Sequence, residues 1–148
     1  MTKPIFVLNG PNLDRLGTRE PAIYGTTTLA EIEKMCSEAA GDRPLRFHQS
    51  NAEHVIIGWI HEAADHGAGI IINAAAYTFT SLAILDALKM FQGPIIELHI
   101  SNIHRREAHY RHSLISGTAT AVIVGLGAAG YPAAVAAMLT LIDRSRSS

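Results

Sequence analysis

The chain has 148 residues, 48% of them hydrophobic, with a formal net charge of -1 and a pI near 6.7. That length and apolar fraction fit one compact, soluble domain spanning residues 1–148, and the near-neutral charge gives no electrostatic case for nucleic acid or an anionic membrane. The lone cysteine, Cys36, excludes an intramolecular disulfide framework and suits a reducing cytoplasm.

The opening "MTKPIFVLNG" has too short an apolar part for a signal peptide, and no later run approaches a membrane span. Within it, Pro4–Leu8 reads as a buried strand. Leu29–Ala40 has apolar residues at helical spacing, with Cys36 as a packed residue rather than a nucleophile. Leu45–His48 is a weaker strand, and Glu53–His66 a helix carrying Trp59. "AGIII" (68–72) is a strand, followed by a helix over Ser81–Met90 opened by Thr80 or Ser81 as cap. Pro94–Ile100 and Thr118–Val124 are strands, and an Ala-rich helix runs from about Tyr131 to Arg144. The tail "DRSRSS" reads as frayed. Strands alternating with helices, several continuously apolar, predict an α/β fold: a flavodoxin-like three-layer sandwich on a five-stranded parallel sheet.

Ligands of open α/β sheets bind at the carboxyl ends of the strands. The segments following the first, third and fourth strands hold most of the Asn, Arg, His and Tyr of the chain. The first is a long loop, Asn9–Thr27, with Arg15, Arg19 and Tyr24, and with Gly17 and Gly25 as hinges; such loops often act as lids. A Tyr beside Arg is a usable base, whereas an ordinary charged surface loop would look the same. The third strand empties into "NAAAYTFTS", Asn73–Ser81. In "ELHISN", Glu97 and His99 lie on the same side of one strand, a carboxylate orienting an imidazole; buried structural pairs share that pattern.

Other motifs count against competing chemistries. "GLGAAG" (Gly125–Gly130) matches G-x-G-x-x-G, but too little chain follows for a dinucleotide-binding unit, so it reads as a tight strand-to-helix turn. His104, His109 and His112 fit no metal-ligand spacing and read as a solvated basic loop. His48, His54, His61 and His66 serve helices and strand ends. There is no P-loop. Lys3, Lys34 and Lys89, the only lysines, avoid the strands' carboxyl ends, which disfavours a Schiff base. The remaining set of Tyr, Arg, His, Glu and Asn can abstract a proton next to a carbonyl, stabilise an enolate and protonate a leaving hydroxyl without a cofactor.

"NGPNLDRLGTREPAIYG", "INAAAYTFTS", "ELHISNIHRRE" and "VIVGLGAAGY" together resemble the type II 3-dehydroquinate dehydratases, in order and over nearly the whole chain. The resemblance implies a cytoplasmic hydro-lyase without metal or cofactor, assembled as a dodecamer built from trimers. It would convert 3-dehydroquinate to 3-dehydroshikimate by trans-elimination through an enolate, in the shikimate pathway or in quinate catabolism. It assigns Tyr24 as the base at C2, with Arg19 and Arg106 favouring its phenolate, and Asn12 as the holder of a water at the enolate oxygen. His99, oriented by Glu97, would be the acid at the departing C1 hydroxyl. Asn73 and the backbone N–H groups of Ile100 and Ser101 would hold the substrate carboxylate, and Asp86 would reach a neighbouring subunit's site.

Two positions depart from the family pattern. Phe79 stands where Y-T-H-T-S usually has histidine, and Tyr110 where arginine is usual, with Arg111 next door; a smaller change is Leu85, where arginine is common. In the family both residues hydrogen-bond the distal ring hydroxyls. A hydroxyl buried against Phe79 would lose its partner at a cost of about 1–3 kcal/mol, so the chemistry is retained while distal recognition is altered. Three readings stay open: a 3-dehydroquinate dehydratase that has compensated, a paralogous dehydratase of a related cyclic β-hydroxy ketone acid, and a catalytically weak member with a binding role.

Overall fold

The computed structural model describes residues 2–18 and 20–147. Five strands form one sheet: β1 (Ile5–Asn9), β2 (Leu45–Gln49), β3 (Gly69–Asn73), β4 (Ile95–His99) and β5 (Ala121–Val124). Every pairing is parallel, and the spatial order is β2-β1-β3-β4-β5. This is the doubly wound, flavodoxin-like order expected from the alternation of elements. Its switch point falls between β1 and β3, where the chain winds outward in both directions.

The side-chain period of a strand divides the core into two layers. On β1, Ile5 and Val7 pack with Ile71, Ile96 and Leu98 against α2 (Leu29–Ala40) and α6 (Gly130–Ser147). Phe6 and Leu8 face the other way, joining Ile70, Ile72 and Ile95 beneath α3 (Glu53–His66) and α5 (Leu82–Lys89). Both faces of the central strands are therefore covered, which is why they read as unbroken apolar runs. Cys36 is fully buried in the first layer, where burial pushes its thiol up to about 12.

Local chemistry sets the helix starts. The Thr28 hydroxyl accepts from the Glu31 N–H at 3.2 Å to open α2. Ser81 accepts from the Ile84 N–H at 2.9 Å to open α5, and its hydroxyl also donates to Glu53 of α3, tying the two helices of that layer. Among the described residues no helix is long and apolar enough to cross a membrane.

Three boundaries differ from the sequence expectation. β5 begins at Ala121 because the Thr118 and Ala119 N–H groups turn back to the Ile115 carbonyl, at 2.9 and 3.2 Å. The C-terminal helix runs on to Ser147, since no glycine or proline interrupts it after Pro132; the tail is helical up to that residue rather than frayed. The loop Asn9–Thr27 holds structure of its own: a 3-10 turn at Leu13–Arg15 and a helical turn, α1, at Pro21–Tyr24. Leu13 and Leu16 sink into the α2 layer, so the first half of this loop is anchored.

Candidate active site

Three neighbouring strands end on buried polar residues: β1 on Asn9, β3 on Asn73 and β4 on His99. Polar groups buried at one sheet edge are costly unless partnered, so their partners define what the edge is for. One pocket opens there, lined by Asn12, Tyr24, Asn73, Phe79, His99, Ile100, Ser101, Arg106 and Tyr110, with Pro11, Leu13, Ala75, Ala76 and Ile103 completing it.

Glu97 and His99 share the face of β4 that also carries Ile95, as their spacing predicts. The His99 Nε2 lies 2.5 Å from Glu97 Oε2, and the pair is 5% and 0% exposed. The other carboxylate oxygen, Oε1, accepts from the Ser116 hydroxyl at 2.5 Å. Burial alone would raise the Glu97 pKa. The hydrogen bonds from His99 and Ser116, with the charge on His99, outweigh burial and hold Glu97 below the usual carboxylate value. The carboxylate therefore stays ionised and fixes the ring, leaving Nδ1 for the pocket that His99 lines.

Part of the lining comes from the first loop. Glu20 and Gly25, both with positive φ (40° and 80°), bracket α1, and Pro21 begins it, so Tyr24 is presented on a single helical turn. The guanidinium carbon of Arg106 lies 5.7 Å from the Tyr24 ring centroid, so a fixed positive charge sits beside the phenol. Asn12 adopts a left-handed conformation (φ 70°), and its N–H donates to Asn51 Oδ1 at 2.9 Å, which pins the loop to the segment after β2. Gly10 makes this crossing possible: a Cβ there would stand 2.4 Å from the Ala74 carbonyl oxygen. Arg19 lies outside the described residues.

The distal wall is aromatic. Phe79, on the turn α4 (Tyr77–Thr80), stacks 6.1 Å from His99 at 27° and meets Tyr110 edge to face at 5.7 Å. The Arg106 guanidinium sits 4.0 Å from the Tyr110 centroid, a close cation–π contact. Arg111 is not among the residues lining the pocket; its Nε donates to the Arg106 carbonyl at 2.5 Å, which braces the loop.

The structure thus gathers Asn12, Tyr24, Asn73, Phe79, Glu97, His99, Ile100, Ser101, Arg106 and Tyr110 at one edge. Asp86 is not among them: it lies exposed on α5, away from this chain's pocket. His104, His109 and His112 are exposed, and "GLGAAG" forms the expected turn, with Gly125 and Gly127 at φ 86° and 64°. Sequence reasoning passed over Ser116, Asn9 and Tyr131. Asn9 ends a strand beside Gly10, as Asn73 ends another, and that shared position was the available signal. Ser116 and Tyr131 carried none.

The site gathers a carboxylate-oriented imidazole, a tyrosine and an arginine, groups suited to acid–base chemistry, on a doubly wound parallel sheet. Residues 3–139 match the family model for class II dehydroquinase. A 3-dehydroquinate dehydratase of Cereibacter sphaeroides is 52% identical over 95% of this chain and 97% of its own length. A 3-dehydroquinate dehydratase 2 of Agrobacterium fabrum is 54% identical over 94% and 96%. The crystal structure of the type II dehydroquinase from Propionibacterium acnes superposes with a TM-score of 0.90 at 44% identity, covering 95% of this chain and 98% of that one. The chain belongs to the class II dehydroquinase family.

Proposed function

We propose that this chain is a hydro-lyase that dehydrates 3-dehydroquinate to 3-dehydroshikimate. The reading rests on a buried, ionised Glu97 orienting His99 in a pocket that Tyr24 also lines. The substrate carboxylate sits at the strand ends, against the Asn73 amide and the N–H groups of Ile100 and Ser101. Tyr24, as phenolate, takes the C2 proton, with Arg106 and Arg19 supplying positive charge. The electron pair moves onto the C3 oxygen, stabilised by a water held on Asn12. As the enolate collapses, a double bond forms between C1 and C2. The C1 hydroxyl then leaves as water with a proton from His99. The two residues come from different elements, Tyr24 from α1 and His99 from the end of β4.

Asp86 extends the site across a subunit boundary. It is exposed on α5 at helical spacing from Leu82 and close to Met90, which are 63% and 56% exposed, so this stripe offers a neighbour both apolar surface and a carboxylate. The functional unit is then a trimer, and the whole a dodecamer of four trimers, working in the cytoplasm in aromatic biosynthesis or quinate breakdown. Incubating the purified protein with 3-dehydroquinate and following the conjugated enone by ultraviolet absorbance tests the activity; no absorbance change at micromolar enzyme overturns it.

The Phe79–Tyr110 wall favours a second reading, a dehydratase of a related cyclic β-hydroxy ketone acid with fewer distal hydroxyls. The Phe79 ring offers such hydroxyls no donor and Tyr110 only a neutral phenol where the family has a charged guanidinium, whereas the residues assigned to chemistry and carboxylate binding are retained.

A further inference from the structure

Asn9 and Asn73 are register partners at the ends of β1 and β3, and both point to the α6 face of the sheet, the face of Val7 and Ile71. There they meet Tyr131, the second residue of α6, which is fully buried. The hydrogen bonds among the three run in one direction only. Asn9 Nδ2 donates to the His48 carbonyl at 3.0 Å, and a carbonyl can do nothing but accept, so Asn9 must turn its Oδ1 toward Tyr131. The Tyr131 hydroxyl accordingly donates to Asn9 Oδ1 at 2.7 Å. Its one proton is used, and toward Asn73 the phenol oxygen can only accept; it does so from Nδ2 at 2.9 Å. The far end is fixed as well, since Asn73 Oδ1 accepts the Ala75 N–H at 3.3 Å.

An asparagine amide can flip, exchanging a donor face for an acceptor face at almost no steric cost. A carboxylate ligand tolerates only the donor face. We propose that Tyr131 is a positioning residue that locks the Asn73 amide through this His48–Asn9–Tyr131 relay, so that its second N–H faces the pocket. The relay reads the fixed polarity of a backbone carbonyl and transmits it across three strands to the substrate's anionic group. Burial raises the Tyr131 pKa, so its proton stays in place over the working pH range. Removing the hydroxyl leaves Nδ2 without its buried acceptor, so that only the 3.3 Å bond from the Ala75 N–H still opposes a turn of the amide oxygen toward the substrate. The proposal rests on Asn73 holding the carboxylate.

The test is a double-mutant cycle on 3-dehydroquinate turnover with wild type, Tyr131→Phe, Asn73→Ala and the double variant. Loss of one hydrogen bond to a charged group corresponds to about a ten-fold rise in KM. We expect Tyr131→Phe to raise KM by that factor with kcat little changed, and to have no further effect on KM in the Asn73→Ala background. An inactive or unfolded fraction would lower kcat alone, so KM separates positioning from folding. Asn9→Ala, which frees the Tyr131 proton to reverse the relay, should raise KM in the same way and covers the case in which Tyr131→Phe does not fold. Equal KM effects of Tyr131→Phe in both backgrounds, or none in either, overturn the relay while leaving Asn73 as ligand. An unchanged KM in Asn73→Ala overturns the carboxylate assignment itself.

Discussion

The ring of Phe79 meets that of Tyr110 edge to face, their centroids 5.7 Å apart at 76°, and Arg106 lies against the same Tyr110. This aromatic stack lines the pocket, and Phe79 contributes no hydrogen-bond donor to it. Phe79→His with Tyr110→Arg supplies two. If the distal hydroxyls of 3-dehydroquinate are left unpartnered in the wild type, the double variant raises kcat/KM for it by about ten-fold or more. A wild type that is already efficient, and a double variant no better, would sink the second reading.

Tyr24 stands on a solvent-facing turn and is only half-buried, so removing its hydroxyl leaves the fold intact. Tyr24→Phe is expected to lower kcat by about 10²–10⁴-fold, the usual contribution of a positioned general base. Circular dichroism and the sedimentation profile should match wild type. Near-full activity in this variant would remove Tyr24 from the chemistry.

Glu97 titrates below its ordinary value in the folded chain, so between the folded and unfolded values the unfolded state binds more protons. Its stabilisation is fully present above the unfolded value of 4.5 and is lost as the pH falls through the lower folded value. Urea midpoints measured from about pH 6 to about pH 3 should fall more steeply for wild type than for Glu97→Gln. The same variant should lose at least about ten-fold in kcat, because its amide cannot stabilise a charged imidazole. Equal acid sensitivity would show that Glu97 is not ionised in the fold.

Gly10→Ala probes how closely the loops after β1 and β3 approach. The new Cβ would meet backbone, the Ala74 carbonyl oxygen at 2.4 Å, which cannot rotate away as a side chain can. A cost of about 1–3 kcal/mol follows from overpacking. The displaced loop carries Asn12, so kcat should fall together with the melting temperature. A variant as stable and active as wild type would show that the loops separate freely.

Much of the site was legible because its signals are local. Period-two spacing put Glu97 and His99 on one face, and the Thr80–Ser81 pair announced the start of α5, which Ser81 caps. The ends of apolar runs marked Asn73 as the mouth of a pocket. Glycines placed the turn after β5. The helical turn at Pro21–Tyr24 was not legible, since its four residues are too few for a periodic pattern, and Glu20 enters it in a left-handed conformation.

By itself, then, the sequence determined the alternation of strands and helices, the parallel sheet and the residue types at each strand's end, because periodicity and capping act over a few residues. Only the tertiary structure decided which of those ends meet. Tyr131 reaches Asn9 from 122 positions away and Asn73 from 58, and Ser116 closes on Glu97 from 19. Those meetings depend on α6 folding back over β1 and β3 and on the long loop after β4 covering the opposite face, and no local pattern encodes either. The direction of the hydrogen bonds, and with it the face that Asn73 shows the pocket, exists only once the strands are in register.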